Sequence, residues 1–131
     1  MTSIANERRG EVEITIDGKT YGMRPTYDAL MGIDALRFED TPGGWLQVVR
    51  RAATASLSIR EAAYIALIGI KAGGTKRENL PAFEDVTKQI IRENPMDSET
   101  LAKIITYIVN ANNQLREPSE ETGGKEQPAG K

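Results

Sequence analysis

The residues able to carry chemistry fall into three groups. Gly69, Lys71, Gly73, Gly74, Thr75 and Lys76 approach the glycine-rich phosphate loop. That loop needs Gly-Lys followed by Ser or Thr, opening a helix after a strand, so that N-terminal amides cradle the phosphate. Here Thr precedes Lys and the glycines close an apolar helical run, so they read as a helix stop. Asp34, Glu39 and Asp40 form a carboxylate group of the kind that moves protons or holds a hard cation. They lack the spacing of a calcium loop, and a polar helix end beside a turn needs solvated charges in any case. Arg50 and Arg51, with Arg60 and Lys71, are the nearest thing to a nucleic-acid surface. They are scattered among acids, whereas a DNA-reading helix concentrates its positive charge.

The chain has 131 residues with no His and no Cys, which removes the commonest general base, the commonest transition-metal ligands and any disulfide. Its 17 basic and 19 acidic residues leave a formal charge of -2, too balanced to draw in nucleic acid at a distance. The expectation is a chain that is not an enzyme, with no cofactor, no metal and no nucleic-acid partner. Residues 1–10 are polar and lack the apolar core of a signal peptide. The longest apolar segment, residues 62–70, is about half of what a membrane span requires, so no membrane partner is expected.

The elements that must position any site follow from periodicity. Val12, Ile14 and Ile16 alternate with Glu11, Glu13 and Thr15, a strand with one wet face. Asp17 and Gly18 then suit a tight hairpin turn, and a weaker strand returns through Tyr21 and Met23. Beyond Pro25 the pattern is helical. Thr26 caps a first helix to about Phe38, with Leu30, Ile33 and Leu36 toward the core. Thr41 and Pro42 read as the start of a second helix that holds Trp45, Leu46, Val49 and Ala53 and ends near Ala55. Ser58 and Glu61 have capping-box spacing. The helix they open, to about Lys71, is rich in small residues and is expected at the centre, with Gly73 and Gly74 as its left-handed stop. A fourth helix carries Phe83, Val86, Ile90 and Ile91 and is broken at Asn94 and Pro95. Asp97 or Ser98 caps the last, whose apolar face holds Leu101, Ile104, Ile105, Ile108 and Val109 and which runs to about Leu115.

The expected fold is therefore α+β and mostly α, an N-terminal β-hairpin followed by about five helices in a small bundle. Residues 1–9 are expected as a flexible arm and residues 10–115 as one globular domain (10–25 hairpin, 26–115 helical). Residues 116–131 are rich in Glu, Gly, Pro and Lys, bury too little to offset their ordering entropy, and are expected as a disordered tail.

The ordered set Gly10, Glu11, Val12, then Asp17, Gly18, Lys19, then Tyr21, Arg24, Thr26, Ala29 and Leu30 resembles a family of small phage-tail and gene-transfer-agent proteins. Their genes lie between those of the tail tube and the tape measure. Leu57, Ser58 and Glu61, and then residues 69–74, match that family's leucine-serine helix start and glycine-ended helix. The likeness covers roughly residues 8–110. The chain departs from the pattern at Asp34, where the family shows Glu, and at Pro25.

That resemblance implies a part in tail morphogenesis, either as a tail assembly chaperone that binds the tape-measure protein and tail tube subunits, or as a structural tail tube protein. Tube subunits are β-rich, and helix caps at Thr41, Ser58 and Asp97 contradict a barrel, so the chaperone description is favoured. Its place would be the bacterial cytoplasm during particle assembly, with self-association also open. A small regulatory DNA-binding helical protein is a more distant alternative.

Four residues are candidates for partner binding. Trp45, the only Trp, is either core or an interface anchor. Arg24 either pairs with Asp28 or a hairpin Glu, or faces a partner beside Tyr21 and Tyr27. Tyr107, with Ile108 and Leu115, extends the apolar positions of the last helix, as core or as a docking surface.

Overall fold

The computed structural model describes residues 10–116; the expected arm, residues 1–9, and the expected tail, residues 116–131, lie outside the described residues except for Arg116, which closes the last helix instead of opening a tail. The fold is α+β and mostly α, a two-stranded antiparallel hairpin followed by five helices. Strands β1 (Val12–Ile16) and β2 (Lys19–Met23) pair in the register Ile14 to Tyr21. Asp17 and Gly18 both adopt positive φ at the turn, the conformation that a two-residue hairpin with this twist demands. Alternation puts Val12, Ile14, Ile16, Tyr21 and Met23 on the buried face.

Helix α3 (Ile59–Ala72) lies at the centre, touching β2, α1 (Tyr27–Asp34), α4 (Phe83–Arg92) and α5 (Glu99–Arg116). Ala62, Ala63, Ile65, Ala66 and Ile70 on it are wholly buried. Its glycines set how closely the hairpin approaches. A Cβ at Gly73 would fall 2.0 Å from the carbonyl oxygen of Gly22, and one at Gly69 would fall 2.9 Å from Cζ of Tyr107 and 3.2 Å from Cβ of Met23. The positive φ of the stop belongs to Gly74 alone; Gly73 keeps right-handed helical angles.

Three helix starts follow local capping. Thr26 Oγ1 accepts from the Ala29 amide, Ser58 Oγ from the Glu61 amide and Ser98 Oγ from the Leu101 amide, so Ser98 and not Asp97 caps α5. The first connection differs from expectation. Helix α1 stops at Asp34 rather than near Phe38, and α2 (Trp45–Ala53) starts three residues beyond Pro42 with Gly44, at φ 99°, as its cap. Gly44 has no side chain to offer, so the Oδ1 of Asp34 reaches across and accepts from the Trp45 amide at 2.7 Å. Arg37 in turn donates to the carbonyls of Asp34 and Leu36. Asp34 thus ends one helix and starts the next, a long-range contact that displaces the local signal of Thr41.

Because the atom opposing Gly73 is backbone and has no side-chain freedom to move aside, Gly73→Ala is expected to cost at least about 3 kcal/mol. Urea unfolding checks this; a wild-type midpoint would show that β2 is free to shift away from α3.

Candidate partner-docking site

The four sequence candidates do not form one surface. Tyr107 is wholly buried in the core, and its hydroxyl donates to the Arg24 carbonyl at 2.7 Å. Burial pushes its phenol well above the usual range. It is a structural residue, which corrects its assignment as partner-facing. Its neighbour Ile108 is also fully buried, while Val109 is exposed. Trp45 packs partly against the core and its indole N–H donates to Asn112 Oδ1 at 3.3 Å, so it tethers α2 to α5. Arg24 resolves to the hairpin partner: its Nε donates to Glu11, a carboxylate only 7 % exposed, at 2.8 Å. Tyr27 stands largely in solvent, 68 % exposed.

A further pairing absorbs Arg51. Glu61 makes only half of the expected capping box. Its amide binds Ser58, but its buried carboxylate takes both Nε and Nη2 of Arg51. This locks α2 onto α3 and removes Arg51 from any nucleic-acid surface. Among the described residues there is no group of acidic side chains arranged to hold a metal, and no helix is long and apolar enough to cross a membrane.

A polar hollow lies between β1, α4 and α5, lined by Glu13, Gln89, Glu93, Thr100 and Lys103. Gln89 serves as its hub, accepting from the Asp17 amide and donating to the Thr15 carbonyl, Glu93 and Thr100. Burial alone would raise the Glu93 carboxyl, but donation from the Thr100 amide, the Ser98 and Thr100 hydroxyls and Gln89 outweighs it and holds the pKa below 4.5. These bonds are internal, and they hold the hairpin tip against the start of α5.

The remaining open feature is apolar. Helices α1 and α3 run side by side with a groove of about 540 Å³ between them, walled by Ala29, Gly32, Ile68 and Ala72 and edged by Asp28 and Lys71. Gly32 is its floor. A Cβ there would meet only Ile68, at 3.7 Å, an ordinary contact. Glycine inside a helix costs up to about 1 kcal/mol against alanine, and no close neighbour requires it here. One turn before Ile68 on the same face of α3, Tyr64 stacks with Phe38 (ring centroids 5.8 Å apart) and with Phe83 (4.6 Å). Met31 and Tyr27 continue the exposed apolar surface along α1. Sequence reasoning missed this groove, although a glycine in the middle of a capped apolar helix was a legible signal.

Comparison with protein-family models, with curated proteins and with solved structures yields no match to this chain.

Two outcomes are expected. Glu61→Gln leaves Arg51, whose side chain is 16 % exposed, buried beside a neutral partner and should cost about 3 kcal/mol. Replacing both residues (R51M with E61L) should recover most of that in the same denaturation assay. Because the folded Glu93 carboxyl titrates below its unfolded value of 4.5, its stabilisation is complete above that pH and is lost as pH falls through the folded value. Glu93→Gln should therefore flatten the acid limb of stability against pH; an unchanged slope would assign that limb to other carboxylates.

Proposed function

We propose that this protein acts in phage-tail or gene-transfer-agent tail morphogenesis, as a tail assembly chaperone that binds the tape-measure protein. The observation that carries this reading over a structural tail tube protein is the architecture. Among the described residues the only sheet is a two-stranded hairpin; five helices make up the rest, two of which flank an open apolar groove. A tube subunit must close sheets into a ring, and a hairpin packed on a central helix offers little sheet for that. A regulatory DNA-binding role loses support because Arg24 and Arg51 are paired with Glu11 and Glu61.

The chemistry is reversible masking. Tape-measure proteins carry long apolar helical stripes, which aggregate unless covered. A small helical domain covers such a stripe segment by segment, taking a helix into a groove. Each contact is weak enough to release, and repetition along the partner supplies avidity. On this reading the protein works in the cytoplasm before tube subunits arrive, and is absent from the finished particle.

Co-expression with the protein encoded immediately downstream tests the reading. The expected result is a long helical protein that stays soluble only in this chain's presence and is captured with it. Polymerisation of this chain alone into rings or tubes, with no capture of the downstream product, would establish the tube role instead.

A further inference from the structure

Resting on that reading, we infer that the groove between α1 and α3 is the docking site, and that its occupant is an amphipathic helix of the partner. That helix presents an apolar face bordered by a basic side chain along α1 and an acidic one along α3.

Three observations converge. The groove has room, about 540 Å³ between apolar walls. Its floor is a glycine that the fold does not need. Elsewhere Gly69 and Gly73 are required by atoms closer than 3 Å, and Gly44 and Gly74 adopt positive φ, whereas Gly32 has neither constraint. With no side chain at Gly32, the hollow stays open at this position. The third observation is charge. Asp28 lies in the first turn of α1 and Lys71 in the last turn of α3. They border the same hollow from opposite walls, and neither pairs with the other or with any described residue. Each is well placed for its own helix dipole, which leaves its head free for a ligand. A helix lying between them finds an acid on one side and a base on the other.

The geometry also sets length and direction. Asp28 and Lys71 mark one end, and Gly32 with Ile68 marks the other. On the α1 side the lining runs from Thr26 to Gly32, about 9 Å. The seated segment is therefore about two turns long, and a long partner would be covered by many copies of this chain.

The test uses the full chain with the downstream protein and three variants. Gly32→Ala should raise the melting temperature, since its methyl meets only Ile68. Gly32→Leu should fold with a wild-type spectrum and lower capture at least tenfold. Asp28→Lys combined with Lys71→Glu, both exposed, should fold and lower capture several-fold, most clearly at low salt. Undiminished capture by a folded Gly32→Leu overturns the site. If Gly32→Leu does not fold, the charge-exchanged variant decides, and its full capture overturns the proposal.

If wild type captures no downstream protein, the chaperone reading fails, and the groove is judged separately. The probe is then a synthetic 14-residue helix with a Leu/Ala face, Lys on one edge and Glu on the other. Amide shifts centred on Gly32 and Ile68 uphold the site; shifts elsewhere, or none, overturn it. Concentration-dependent self-association that Gly32→Leu abolishes would make the occupant a second copy, against the partner helix inferred here.

Discussion

The molecule is organised by the closeness with which β2 lies on α3. At Gly69 the helix has no side chain, so the Tyr107 ring and Met23 fill the space that one would occupy. The Arg24 amide then donates to the Gly69 carbonyl at 3.1 Å, and the Tyr107 hydroxyl donates to the Arg24 carbonyl. Both backbone polar groups of Arg24 are satisfied where the chain leaves the hairpin, by two helices remote in sequence. A two-stranded hairpin is marginal alone. Docked in this way, and held at its tip by Gln89, it becomes one wall of the core.

Other constraints follow from that contact. With α3 pressed on the hairpin through Gly69 and Gly73, its other faces are left to α1, α4 and α5. The buried Arg51–Glu61 pair and the Trp45–Asn112 hydrogen bond then place α2 against both α3 and α5. Ion pairs of this kind add little net stability over apolar packing, since desolvation offsets much of the attraction. What they supply is position, because a slip of α2 by one residue would strand two buried charges.

Signals that act within a few residues were legible in the sequence. The hairpin and its turn, the caps at Thr26 and Ser58, the stop after α3 and the break at Asn94 all depend on near neighbours. What escaped were choices made by residues far along the chain. Thr41 and Pro42 are a sound local helix start, yet Asp34 wins because its carboxylate already sits where the Trp45 amide emerges. Glu61 has capping-box spacing but finds a stronger partner in the Arg51 guanidinium. Tyr107 falls on an apolar face as periodicity requires, but its depth was set by the missing side chain at Gly69. Ile91, beside the buried Ile90, is 57 % exposed, since α4 packs through a narrow face. Gly32 was a local hint of the groove, but no local pattern says which helix pair lacks a third neighbour.

The arrangement also explains why an opening falls between α1 and α3 and not elsewhere. Helix α1 has only eight residues, ended early by the reach of Asp34 to Trp45. Such a helix is too short to cover the full outer face of α3, which has fourteen. Toward its far end α3 is covered by the ring of Phe38, delivered by the loop that the early stop creates. In the second turn of α1 the residue facing Ile68 of α3 is Gly32, and the space beside it is left unfilled. An alanine there would meet only Ile68, at an ordinary contact, and has the better helix propensity. The groove thus falls where a short α1 meets α3 and the facing position, Gly32, carries no side chain.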